Sequence, residues 1–432
     1  MEILAGDTAW MLISTALVLL MTPGLAMFYG GMVRAKGVLN MMMMSFISMG
    51  VVSVIWTLYG YSMTFGKDLG GGLVGSPTEF FGLTTIISED SVFGTIPTSV
   101  FAAFQMMFAI LTVALISGAI ADRAKFGSWI LFVIIWVTIV YFPVAHWVFD
   151  FDGVDENGNV DPGGWIANDL AAIDFAGGTA VHINAGIAAL AIALVLGKRV
   201  GFGREPFKPH NLTLVMLGAA LLWFGWFGFN AGSAIAANAA AGVVFLNTVV
   251  ATGAAMVAWL LVERIRNGHA TSLGAASGIV AGLVAITPAC SAVDPLGAMA
   301  IGAIASAVCA LAVSLKYKLG YDDSLDVVGL HLVAGLIGSI FVGLFATAAA
   351  PAGVDGLFYG GGSDQLVKQI IASFAVLAYS FIATYIIAKA IDMTIGFRVK
   401  EDAEVTGIDL AVHAESSYEI GSQGANRGGY AS

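Results

Sequence analysis

Apolar residues run through this chain in long blocks broken by short polar stretches, with neither the 3.6-residue stripe of a soluble helix nor the alternation of a half-buried strand. Eleven blocks stand out, over 8–31, 39–65, 96–121, 128–149, 175–197, 212–230, 243–262, 272–288, 297–315, 327–347 and 368–391. A helix needs about 20 mostly apolar residues to cross a bilayer core. The pattern therefore predicts an all-α polytopic membrane protein of eleven transmembrane helices, the eighth being the shortest. An odd number of crossings puts the termini on opposite faces.

Charge gives the orientation. Of 18 Lys and Arg, only Lys67 and Lys368 fall in loops on the N-terminal side; the other sixteen, from Arg34 and Lys36 to Arg427, fall on the opposite side. Basic loops stay in the cytoplasm, so the N-terminus is expected outside and the C-terminus inside. The outer loops are acidic instead, carrying Asp68, Glu79, Glu89, Asp90, Asp150, Asp152, Asp155, Glu156, Asp161 and Asp169. Such a face gathers cations. The stretch "DFDGVDENGNVDPGG" has calcium-like acid spacing but lacks the closing Glu of an EF-hand loop, and reads as a solvated loop.

Composition agrees. The chain is 58% hydrophobic and 11% charged, against about 25% charged in soluble domains, and its mean hydropathy is +0.89. Cys290 and Cys309 make neither a disulfide framework nor a metal spacing. The start, "MEILAGDTAW", has no basic n-region, so no cleavable signal peptide is expected. Two parts follow: a transmembrane domain over 1–397, with halves at about 8–197 and 212–347 plus the helix 368–391, and a polar tail over 398–432.

Two imidazoles interrupt the oil. His182 lies in "DFAGGTAVHINAGIAAL" and His331 in "DSLDVVGLHLVAGLIGSI". Both follow the pattern D-x7-H-x2-A-G, from Asp174 and from Asp323. Five helices separate the copies, so they enter the membrane in opposite directions, as in an inverted repeat with a site at the midplane. Eight helical residues advance about 12 Å. Two such advances from opposite faces of a core about 30 Å thick leave the rings several ångströms apart. Asp174 is placed to cap the N–H groups of its helix, and Asp323 to do the same inside. One buried His often does no more than fix packing; two at repeat-related positions point to function.

The stretches "DFAGGTAVHINAG", "GKRVGFGREPFKPHN", "GWFGFNAGS", "NTVVAT", "ITPAC" and "GLHLVAG" resemble signatures of the ammonium transporter (Amt/MEP/Rh) family, closest to its bacterial and archaeal Amt branch. The resemblance implies an eleven-helix protomer of pseudo-twofold five-helix halves, a homotrimer with one pore per subunit, and a place in the cell membrane. It implies roles at matching positions. In "FAAFQMMFAILTVAL", Phe104 and Phe108 match phenylalanines that stack across the pore as a gate. Ser233 matches a vestibule serine that accepts from ammonium, and Asp174 a buried carboxylate supporting recruitment. Trp226 matches a pore-lining tryptophan, and His182 and His331 the twin pore histidines. Where the family has a vestibule Trp, the ungapped match here is Phe149, with Trp147 and Trp165 as alternatives; Trp is the better cation–π partner. The tail "GFRVKEDAEVTGIDLAVHAESSYEIGSQ" matches a regulatory segment that contacts a PII-type signalling protein. Gly407, Asp409, His413 and Glu415 keep the pattern, and Ala414 stands where Gly is common.

The function expected from these residues is recruitment of ammonium at an outer vestibule by Phe108, Phe149, Ser233 and Asp174. Deprotonation follows, with passage of ammonia, with or without its proton, between His182 and His331. Potassium has no proton to lose and is excluded. Methylammonium is a second substrate of the class. An intramembrane enzyme is disfavoured, because HExxH, GxSxG and a Cys–His pairing are all missing; no cofactor, metal or nucleic-acid partner is expected. An ammonium sensor that hardly conducts has the same sequence features.

Overall fold

The computed structural model describes residues 2–154 and 160–418. Asp155, Glu156, Arg427 and the tail beyond Tyr418 lie outside the described residues. The described chain is predominantly helical. Ten of its helices are long and apolar enough to cross a membrane: α1 (Ala5–Met32), α2 (Val38–Phe65), α3 (Thr98–Ile120), α4 (Phe126–Phe149), α5 (Gly178–Leu196), α6 (Leu212–Gly232), α7 (Ala239–Asn267), α9 (Pro295–Leu319), α10 (Val328–Phe345) and α11 (Asp364–Thr394). The block at 272–288, expected as a further span, forms α8 (Ser272–Ile286) of 15 residues. Its length of about 22 Å falls short of a core about 30 Å thick. Buried tight turns over 287–293 continue the chain from its end.

Local chemistry sets several boundaries. The side chains of Asn211, Asn238, Thr271 and Asp294 accept hydrogen bonds from the backbone N–H three residues on, capping α6, α7, α8 and α9 in turn. Such caps satisfy donors that the first helical turn leaves free. Two short antiparallel hairpins, β1 (Val92–Phe93) with β2 (Ile96–Pro97) and β3 (Gly153–Val154) with β4 (Val160–Asp161), decorate the loops.

Helix α1 packs along α6, and α5 packs against α10. The loops after α1, α3, α5 and α9 converge at one end of the bundle through ion pairs. Arg34 meets Asp122 at 3.2 Å, Arg199 meets Asp122 at 3.5 Å, and Arg199 meets Asp322 at 2.9 Å. Arg123 is buried and donates to the Asp322 carbonyl at 2.6 Å and to Ser324 Oγ. The described part of the tail docks on the same end. It forms α12 (Glu401–Thr406) and α13 (Ile408–His413). Asp409 accepts from Leu39 N at 3.0 Å and Asn40 N at 2.8 Å, capping α2, and Arg398 pairs with Glu404 at 2.7 Å. Ala414 follows with φ 57°, in the left-handed region. That conformation favours glycine. At the opposite end the loops after α2 and α4 meet around His146. Large apolar side chains such as Leu246, Val257, Leu311, Phe374 and Ile382 point outward from α7, α9 and α11, forming a belt suited to lipid or to another subunit.

Candidate functional site: a histidine-lined passage

Both histidines sit where the helix widens. Residues Gly178–Ile183 and Val328–Leu332 are turns of π-helix opening α5 and α10, a local geometry frequent at functional sites. Asp174 holds the first in place: its carboxylate accepts from Gly177 N at 2.8 Å, Gly178 N at 2.6 Å and Thr179 N at 2.7 Å, and also from the Thr179 hydroxyl. Asp323 does equivalent work, accepting from Val327 N at 3.1 Å and Val328 N at 2.7 Å. The two carboxylates differ in burial. Asp323 is 1% exposed, and burial pushes its carboxyl up to about 6. Asp174, expected buried, is half-buried and lines a cavity open to the surface, because the chain before it runs along the surface.

The glycine that closes each D-x7-H-x2-A-G copy has a steric job. A β-carbon on Gly186 would lie 2.4 Å from Leu332 N, and one on Gly335 would lie 3.2 Å from His182 Cβ. Each glycine thus passes beneath the histidine segment of the other copy, and the helices close up. His182 Nδ1 and His331 Nδ1 come to 3.3 Å, with ring centroids 5.4 Å apart. Both rings are buried, at 0% and 3% exposure. One Nδ1 must donate and the other accept, so the pair holds one shared proton there. Consequently one Nε2 is an acceptor and the other a donor, and moving the shared proton exchanges those roles. Among the described residues, His182 Nε2 has no hydrogen-bond partner.

Aromatic rings surround this pair and continue away from it. Trp226 stacks on His182 at 5.4 Å and 18°, and Phe229 lies 6.0 Å from the same ring. Trp226 Nε1 donates to Thr287 Oγ1 at 2.9 Å, while that hydroxyl donates to the Leu283 carbonyl at 2.7 Å. Phe229 in turn stacks on Phe108 at 4.3 Å and 29°. The expected gate pair is Phe104 and Phe108. The two are one turn apart on α3, and their rings meet edge-on at 66°. Phe104 is fully buried and does not reach the outer cavity; the ring that faces Phe108 across a helix contact is Phe229. Sequence reasoning missed Phe229, although the spacing Trp226–Phe229–Ser233 puts all three on one face of α6.

Above Phe108 opens an outer cavity of about 140 Å³, lined by Phe93, Phe101, Gln105, Phe108, Phe149, Phe151, Phe175, Ser233 and Ile235. Phe149 is therefore at the mouth, whereas Trp147 and Trp165 are not. Trp147 turns away and donates to the Leu73 carbonyl at 2.8 Å. Ser233 gives its hydrogen to the Phe229 carbonyl at 2.8 Å, which leaves its oxygen to accept. A wider cavity of about 450 Å³ shares Phe151, Phe175 and Ser233 with the first and includes Asp174. Below the histidines a void of about 10 Å³ is lined by Leu25, Phe28, Leu111, Leu115, Leu222, Trp226, Val280 and His331. That is room for about one water-sized molecule, with one polar ring to meet it.

Fold and site define a multi-pass membrane protein whose apolar interior holds a buried pair of imidazoles. Residues 9–418 match the Ammonium Transporter Family, and the chain belongs to that family. It is 61% identical to an ammonium transporter of Mycobacterium tuberculosis (96% of this chain, 90% of that protein). It is 48% identical to one of Bacillus subtilis (96% and 98%), and 45% identical to ammonium transporter Amt1 of Archaeoglobus fulgidus (96% and 99%). In three dimensions it resembles Mep2 of Saccharomyces cerevisiae with a TM-score of 0.84 at 34% identity, over 93% of this chain and 89% of that one. A structure described as a sensor Amt protein is similar at the same TM-score and 29% identity (94% and 98%).

Proposed function

We propose that this protein takes up ammonium by stripping it of a proton and passing ammonia between His182 and His331. The observation that carries the reading is the 3.3 Å contact of the two imidazoles inside an apolar path. A bare cation among Phe, Leu and Val side chains costs several kcal/mol. Potassium cannot escape that cost; ammonium can, by losing a proton. Ammonia then needs both an acceptor and a donor, and the pair offers one of each at its two Nε2 atoms. The shared Nδ1 proton gives the released proton a relay.

Recruitment belongs to the cavity of Phe108, Phe149 and Ser233, where ring faces and a free hydroxyl lone pair replace part of the ion's water. Asp174 supplies negative charge beside it. Phe108 and Phe229 close the way inward, so the gate role expected of Phe104 with Phe108 passes to Phe108 with Phe229. Trp226 walls the inner side.

Architecture follows the same reading. The chain makes eleven crossings, α8 completed by its buried turns. It has two inverted five-helix halves, with the N-terminus outside and the C-terminus in the cytoplasm. The α1–α6 and α5–α10 contacts support the repeat, since equivalent elements meet on a twofold axis. The gathering of Arg34, Arg123, Arg199 and Arg398 at one end supports the orientation. The protein works in the cell membrane as a homotrimer, and its tail, 398–432, is a regulatory segment that answers a PII-type protein.

Solid-supported-membrane electrophysiology on purified protein in liposomes tests the proposal. Wild type should move charge on addition of ammonium and not of potassium, and the double variant His182→Ala, His331→Ala should lose both the current and the discrimination. Full ammonium current with intact discrimination in the double variant would refute it. A wild type that binds ammonium without current would make it a sensor.

A further inference from the structure

Asp150 lies between two aromatic rings that line the outer cavity. It ends α4 with φ −90° and ψ 101°, an extended conformation in which successive side chains point to opposite sides. Phe149 and Phe151, its neighbours, both line the outer cavity. The Asp150 carboxyl points back, 3.3 Å from Nδ1 of the wholly buried His146. The same Nδ1 lies 2.9 Å from the Thr64 carbonyl, its hydrogen-bond partner, so the carboxyl packs against the ring at contact distance, and Nε2 meets Asp68 at 3.4 Å. The backbone of Asp150 is held as well: its N–H donates to the His146 carbonyl, and its carbonyl accepts from Gly164 N at 2.8 Å and Asn168 Nδ2 at 2.9 Å.

We infer that Asp150, anchored on His146, is a positioning residue for ammonium recruitment, fixing the angle at which Phe149 and Phe151 face the incoming cation. The inference rests on the uptake reading above. It assigns the carboxyl no contact with ammonium. Cation–π attraction depends on the cation lying over a ring face, so a mouth whose rings tilt loses affinity while the path behind it still conducts.

Ammonium concentration series in proteoliposomes separate these effects. Asp150→Ala should raise the half-saturating ammonium concentration roughly three- to tenfold, the scale of one lost polar contact, with the maximal current kept within about twofold of wild type. Asp150→Asn retains polar atoms to meet the imidazole and should restore wild-type half-saturation. In a background of Phe149→Ala, adding Asp150→Ala should change little further, because the ring it positions is gone. If Asp150→Ala does not accumulate in the membrane, Asp150→Glu, with its longer arm, replaces it and should show the same rise. The inference is overturned if the folded variants keep wild-type half-saturation, if they lose maximal current alone, or if the Phe149 and Asp150 effects simply add. Absence of ammonium current in wild type would instead remove the uptake reading, and current abolished by His182→Ala but untouched by Asp150→Ala would leave that reading standing without this one.

Discussion

Gly335 carries the α10 backbone so close to His182 that a β-carbon there would sit 3.2 Å from His182 Cβ, and Gly186 approaches Leu332 N more closely still, at 2.4 Å. The imidazole contact depends on both. A methyl group at Gly186 meets backbone, which cannot swing aside; at Gly335 a few tenths of an ångström of relief suffices.

Gly186→Ala should therefore be the worse of the two substitutions. Its expected cost is about 1–3 kcal/mol, the range for an overpacked core, with ammonium current falling at least tenfold as the rings part. Gly335→Ala should cost less and keep more current. Thermal unfolding in detergent and currents in liposomes check the order, and equal behaviour of the two would contradict it.

Asp174 gathers the free N–H groups at the start of α5. Asp174→Ala should destabilise the protein by about 2 kcal/mol, the upper end for loss of a helix cap. Asp174→Asn, which keeps one oxygen acceptor, should cost about half as much. Unfolding midpoints of the three proteins provide the comparison.

Burial pushes the Asp150 carboxyl up to about 8, helped by Asp161, Asp68 and Glu79. The folded state therefore holds a proton that the unfolded chain gives up at the ordinary carboxylate range near 3.8. Where the folded state binds more protons, stability falls as pH rises. This group's contribution is thus intact below pH 4, is lost progressively up to about pH 8, and then levels. Unfolding midpoints between pH 5 and 9 should show that decline, and Asp150→Asn should flatten it.

At the other end, Arg199 meets Asp322 at 2.9 Å with both side chains nearly inaccessible, and this pairing holds the Asp322 carboxyl below its usual range despite burial. Asp322→Ala would leave the buried guanidinium with only its longer contact to Asp122, which Arg34 shares. Removing one partner of a buried pair costs about 3–5 kcal/mol, so the variant should accumulate poorly. Arg199→Met with Asp322→Leu should recover much of the loss, and expression with thermal unfolding would register it.

Hydropathy alone announced a helical membrane protein, because a bilayer forces every backbone group into helical hydrogen bonds along a span of set length. It also located the two histidines and the aspartates that cap their helices, since ionisable residues in oil are conspicuous and the repeat spacing is linear information. It did not show that the helix at 272–288 stops at Ile286, because apolar sequence continues past it into buried turns that composition does not distinguish. The partner of Phe108 was equally hidden. Phe104 is its neighbour along α3, but Phe229 becomes its neighbour only when α6 packs against the first half. The near contact of the two imidazoles was foreseeable from helix rise to within several ångströms; the final 3.3 Å was decided by two glycines crossing beneath each other's histidine, a steric relation between segments about 150 residues apart that exists only once the chain is folded.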